Sequence, residues 1–182
     1  MSTVAHVTMD EYERMAEAGV LEGRRVEFIR GAIREMSPKG NRHEDMVDQL
    51  EDWSHEILRG KPVRIRIQNS IRLPSVDMLP EPDVAWVVRR RYSGRQPGPA
   101  DIHLLIEAAE TSLDYDLGEK AELYAAAGVR DYWVVDLINR RVVVHRDPDA
   151  DGYRTVQALS GDSEVRPLAF PVVVLRPASL WD

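Results

Sequence analysis

Two short apolar runs each carry a carboxylate, and they constrain the fold more than any other feature of the chain. Asp83 opens Asp83-Val84-Ala85-Trp86-Val87-Val88, and Glu107 sits inside Leu104-Leu105-Ile106-Glu107-Ala108-Ala109. Runs this short and apolar, bounded by turn residues, predict strands over 83–88 and 103–109 that are buried on both faces. An unpaired buried charge is costly, so acids in such strands need partners. By strand alternation Asp83 shares a face with Ala85 and Val87, and Glu107 shares one with Leu105 and Ala109. If the two strands are neighbours, the carboxylates converge. Like charges held close need a cation between them, and hard oxygen ligands select Mg²⁺ or Mn²⁺. Glu27, within Val26-Glu27-Phe28-Ile29, is a third acid of the same kind.

The remaining pattern supplies helices to cover those strands. Thr8-Met9-Asp10-Glu11 reads as a capping box opening a short helix that stops at Gly19. Residues 26–29 and 32–36 flank Arg30-Gly31 as a hairpin, and 37–41 form a loop by composition. Val47, Leu50, Trp53, Ile57 and Leu58 recur at helical spacing over 44–58. Residues 63–73 begin with the alternation of a half-exposed strand. Residues 89–100, rich in Arg, Gly and Pro, predict an exposed loop. Asp116-Leu117-Gly118-Glu119 reads as a helix cap, with the helix running over 116–127. A hairpin follows over 132–136 and 141–145, turning at Asn139-Arg140, then a strand over 153–159. The tail with Pro167, Pro171 and Pro177 wraps the surface or adds an edge. This order predicts an α/β fold, a mixed sheet flanked by helices, as a single domain over 1–182. No GxGxxG or Walker loop follows a strand, which excludes those nucleotide-binding folds.

Lys120, in the first turn of the 116–127 helix, opposes the helix dipole, and Tyr124 lies on the same helix face. Read alone, Lys120 is a solvated i,i+4 partner; beside a carboxylate cluster, it would position water or stabilise charge on a phosphate. Glu107 is either a site acid, a residue of an edge strand or the buried partner of an arginine, and Glu27 is either a site acid or a cross-sheet partner of Arg64 or Arg66. His43, at a helix start, either touches a phosphate or the metal shell or has a helix-capping or surface role. Arg89, Arg90, Arg91 and Arg95 offer either a nucleic-acid contact or a merely soluble loop.

Composition narrows the function classes. There is no Cys, so disulfides and thiolate metal sites are excluded. No stretch approaches the roughly 20 apolar residues of a spanning helix, and the N-terminus lacks a secretory layout, so a cytoplasmic protein without membrane contact is expected. The net charge of −7 argues against a strong non-specific DNA binder. It is compatible with an enzyme whose acids hold cations against a phosphate.

Four segments resemble, in order, the blocks of the Uma2 endonuclease family within the PD-(D/E)XK nuclease superfamily. They are Met36-Ser37-Pro38, Pro82-Asp83-Val84, Leu105-Ile106-Glu107, and Glu119-Lys120…Leu123-Tyr124…Gly128-Val129-Arg130-Asp131-Tyr132-Trp133-Val134-Val135-Asp136. The likeness runs from about Thr8 to His145. It implies a restriction-endonuclease-like fold and metal-assisted hydrolysis of a phosphodiester, with DNA as the expected substrate. It further implies that Asp83 and Glu107 ligate the metal, with the Ala108 carbonyl as a third ligand. Glu27 would support the site and Lys120 would supply the catalytic ammonium. In the wider superfamily the lysine stands two residues after the glutamate, where this chain has Ala109. Lys120 on the following helix would take its place. The rival reading is a catalytically degenerate nucleic-acid-binding or assembly module on the same scaffold. A homodimer is expected from the commonness of two-fold assemblies.

Overall fold

The fold is that of a computed structural model describing residues 5–181; the ends of the expected 1–182 domain lie outside the described residues. Helix α1 (Met9–Glu17) starts at the expected capping box: Glu11 N–H donates to Thr8 Oγ1 at 3.2 Å and Thr8 N–H to Glu11 Oε2 at 2.8 Å. Strands β1 (Val26–Ile29) and β2 (Ala32–Glu35) form the expected hairpin. Arg30 and Gly31 both take positive φ, 49° and 77°, the geometry of a tight turn matched to strand twist. A Cβ at Gly31 would stand 2.9 Å from the His6 side chain.

Helix α2 (Asn41–Ile57) begins earlier than the 44–58 pattern indicates, because Gly40 in an extended conformation serves as N-cap. Strand β3 (Val63–Ile67) is shorter than the expected 63–73. Gln68 turns left-handed, φ 49°, and its N–H donates to the Asp83 carbonyl at 3.1 Å, ending the strand. After a 3₁₀ turn at Pro74–Val76, β4 (Met78–Leu79) joins β1, giving a small sheet of order β2-β1-β4.

The main sheet contains β3, β5 (Val84–Val88), β6 (Ile102–Ala109), β7 (Asp131–Asp136), β8 (Arg141–Asp149) and β9 (Gly152–Ser160), in that spatial order. All its pairings are antiparallel except β6–β7. A parallel pair needs a crossover, supplied here by α3 (Leu113–Leu117) and α4 (Glu119–Ala126). The single helix expected over 116–127 is therefore two, broken at Gly118. A Cβ at Gly118 would lie 2.8 Å from the Asp114 carbonyl, so the sharp join depends on glycine. Asp116 is not the cap of α4; Gly118 holds that position, and the Asp116 carboxylate is buried.

Strands β5, β6 and β7 are buried on both faces, as their apolar runs predict. One face packs against α2 through Leu50, Trp86, Ile106 and Trp133, with Trp53 stacked 5.2 Å from Trp86. The other packs against α4 through Ala85, Leu105, Leu123, Tyr124 and Tyr132. The proline-containing tail does more than wrap the surface: Val165, Val173, Leu175 and Leu180 close the α2-side core. Among the described residues, no helix is long and apolar enough to cross a membrane.

Candidate functional site

The register of β5 and β6 sets Val84 opposite Ile106, so the next pair along is Asp83 and Glu107. Both point to the α4 side, the face of Ala85 and Leu105. Their coupling is direct: Asp83 N–H donates to Glu107 Oε2 at 3.2 Å, and Ala108 N–H donates to Asp83 Oδ2 at 2.9 Å. The sequence expectation that these acids converge matches this geometry.

Lys120 is not a solvated helix residue; it is 3% exposed. The break at Gly118 turns the first residues of α4 toward the sheet, and Lys120 Nζ lies 2.8 Å from Glu107 Oε1. Glu27 Oε1 is 3.5 Å and Asp116 Oδ1 3.7 Å from the same nitrogen. Glu27 therefore pairs with neither Arg64 nor Arg66. It sits on β1 of the small sheet, where its Oε1 also accepts Glu81 N–H at 3.0 Å. Tyr124 Oη donates to Glu107 Oε1 at 3.0 Å. Asp83 accepts from Gln68 Nε2 at 3.0 Å and lies 3.0 Å from His43 Nε2. Lys39 in turn donates to Gln68 Oε1.

Electrostatics separate the two strand acids. Burial pushes Asp83 up, but the contacts from His43, the Ala108 N–H and Gln68 outweigh it and hold the carboxyl below its ordinary range. Burial raises Glu107 well above that range; Lys120 opposes the rise, while Asp83, Asp116 and Glu27 add to it. For Lys120, burial disfavours the charge, yet Glu107, Glu27 and Asp116 outweigh burial and keep the ammonium protonated. Lys120 is thus a fixed positive charge rather than a base.

These groups form the floor of a cleft of about 530 Å³ whose lining includes Arg25, Arg34, Lys39 and His43. Arg34 is held bidentately by Glu119, 2.7 Å on each bond. The arginine loop lies elsewhere, leaving the end of β5 remote from Asp83. There Asp101 binds Arg90 and Arg95, while Arg89 and Arg91 are exposed.

Among the described residues, no three His, Asp or Glu side chains form a ready cage for a metal ion. The donor set nonetheless fits a hard divalent cation. Three buried carboxylates, Glu27, Glu107 and Asp116, share one ammonium beside a fourth, Asp83, and burial raises Glu107 and Asp116 despite that ammonium. Asp83, Glu107 and the Ala108 carbonyl are the groups that could hold the ion. Two members of this cluster lie outside the sequence-derived set. Asp116 reads as a cap, although its place four residues before Lys120 was a usable signal. Gln68 has no sequence signal, because its reach depends on a left-handed backbone.

A mixed sheet with paired strand acids at one rim and a buried lysine behind them defines an α/β protein of nuclease-like fold. The chain matches a solved structure described as "a putative nuclease belonging to DUF820" from Anabaena variabilis ATCC 29413, with TM-score 0.78 over 96% of this chain and 97% of that one. At 16% identity, the likeness is one of fold. The family model of Uma2, described as "Putative restriction endonuclease", matches residues 9–178, and the chain belongs to that family. No match was found among curated proteins.

Proposed function

We propose that this chain is a single-domain, divalent-metal-dependent phosphodiester hydrolase that cuts DNA. The observation that carries this reading is the meeting of Asp83, Glu107 and Lys120 within hydrogen-bond reach at the floor of an open, cation-rimmed cleft. Asp83, Glu107 and the Ala108 carbonyl would hold Mg²⁺ or Mn²⁺, which when bound polarises a phosphoryl oxygen and acidifies its water. Glu27 and Asp116 keep Lys120 charged and aimed at the site, and its ammonium offsets negative charge as the phosphodiester is cleaved. Lys39, Arg25 and Arg34 give backbone phosphates a foothold that the net charge of −7 does not provide. On this reading the protein acts in the cytoplasm as a homodimer, presenting one site to each strand of a duplex.

The test is nicking of supercoiled plasmid in Mg²⁺ or Mn²⁺ by wild type and K120A. Wild type should nick, and K120A should be slower by about 10²–10³, the usual effect of removing one transition-state donor. A K120A variant as fast as wild type would remove the lysine from the mechanism. A wild type that never nicks would leave the degenerate-module reading.

A further inference from the structure

Among the described residues, the edge strand β3 carries a cation, Arg66, without a carboxylate partner. Arg66 stands opposite Ala85, on the sheet face that bears Asp83. Its guanidinium lies 5.7 Å from the centre of the Tyr92 ring, and Nη2 donates to the Ser70 carbonyl at 3.2 Å. Arg66 Nε is buried and makes no hydrogen bond. Arg72, Arg141 and Arg146 each have a carboxylate partner. By contrast, Arg66 has no carboxylate partner among the described residues, and a second arginine, Arg64, acts on it. A half-buried cation in that setting is costly unless an anion completes it, and the planar guanidinium fork suits phosphate.

Arg66 opens into a cavity of about 600 Å³, also lined by Tyr12, Ser70, Tyr92, Arg95 and Gln96. Of the acids on its wall, Glu13 is taken up by Arg72 and Glu17 stands at the exposed rim. Glu81 also lines it; burial and then Glu27 raise its carboxyl above the ordinary range, and its N–H donates to Glu27 Oε1, so the cavity backs onto the carboxylate cluster. Arg66 is two residues from Gln68, which binds Asp83. Gln68 lies just past the end of β3, and Ile67 stands opposite Val84, so Arg66 is at the strand end next to Asp83.

We propose that Arg66, stacked on Tyr92 with Arg95 at the rim, forms a phosphate-binding subsite separate from the Asp83–Glu107 centre. Resting on the nuclease reading, its ligand is a backbone phosphate of the same nucleic-acid strand; free phosphate offers the same chemistry.

The experiment uses the full chain without divalent metal, in chelator, with inorganic phosphate and a short single-stranded oligodeoxynucleotide as probes. Phosphate should raise the melting temperature of wild type and bind by calorimetry. In R66Q that binding should weaken at least about tenfold, which is about 1.4 kcal/mol. S70E, which supplies a carboxylate from within, should melt higher than wild type and lose phosphate binding; it decides the matter if R66Q does not fold. Wild type with no phosphate response, or either folded variant binding phosphate like wild type, would overturn the subsite. Oligonucleotide affinity falling together with phosphate affinity supports the backbone source, whereas unchanged oligonucleotide affinity overturns that source alone. A wild type that binds phosphate through Arg66 but never cuts DNA would refute the nuclease reading and leave this subsite standing.

Discussion

Asp83 and Glu107 face each other across an antiparallel strand pair, and the Asp83 backbone N–H donates to Glu107 Oε2 at 3.2 Å. The sheet ladder therefore fixes the separation of the two carboxylates. Lys120 reaches them from a different element, so the cluster joins the sheet to the crossover helices and ties site chemistry to packing.

Removing the ammonium should destabilise the protein in a pH-dependent way. K120M leaves Glu27, Glu107 and Asp116 buried without their cation. Breaking a buried pair from one side costs about 3–5 kcal/mol. Urea unfolding at neutral pH should show a loss of that order, shrinking toward pH 4 as the acids take up protons. A loss that stays constant with pH would mean the acids are not charged in the wild type.

The strand glutamate itself should limit stability at neutral pH. Glu107 is raised well above its ordinary value of 4.5. A raised pKa favours folding below the unfolded value, and that contribution is lost as pH climbs through the folded value. Thermal unfolding of E107Q should therefore gain on wild type as pH rises above about 4.5. Asp83, held below its ordinary 3.8, works in the opposite sense: its contribution is present above 3.8 and lost as pH falls through the folded value. D83N should accordingly lose stability at neutral pH, and a D83N that is stabilised there would contradict the assignment.

Tyr124 should matter through one bond. Its hydroxyl donates to Glu107 Oε1 at 3.0 Å in a fully buried setting, and leaving a buried acceptor unsatisfied costs about 1–3 kcal/mol. Y124F should lose stability in that range by denaturant titration. A change below about 0.5 kcal/mol, the scale of an ordinary surface substitution, would mean that this bond does not support Glu107.

A buried acid is not by itself a site, and Asp131 shows why. It is as deeply buried as Glu107, but its oxygens accept from Trp133 Nε1, Arg146 Nε and Leu168 N–H at 2.7–2.9 Å. It anchors the tail to β7 and has its own cation. D131A should destabilise the fold by about 3–5 kcal/mol while leaving metal affinity unchanged. A parallel fall in affinity for Mn²⁺ would show that the two clusters communicate.

That contrast also marks how far the sequence is legible. The burial of β5 and β6, the shared face of Asp83 and Glu107, and the hairpin turning at Arg30-Gly31 follow from periodicity and local turn chemistry. The broken crossover helix does not, because Asp116-Leu117-Gly118-Glu119 satisfies the pattern of a cap while Gly118 permits a contact with the Asp114 carbonyl that another residue would block. Asp116 is thereby turned inward to Lys120. Gln68 reaches Asp83 only because its backbone turns left-handed. The tail's core residues, Val165, Val173 and Leu175, have no regular period to reveal them. Local rules identify elements; these long-range pairings depend on how the elements meet.

The central claim is that Asp83 and Glu107 hold a divalent cation beside Lys120, and calorimetric titration of the metal-free protein with Mn²⁺ tests it most directly. Wild type should bind one ion per chain, with binding lost in D83A and in E107A and retained in D131A. An absence of Mn²⁺ binding by wild type, or binding that survives in both D83A and E107A, would contradict the account.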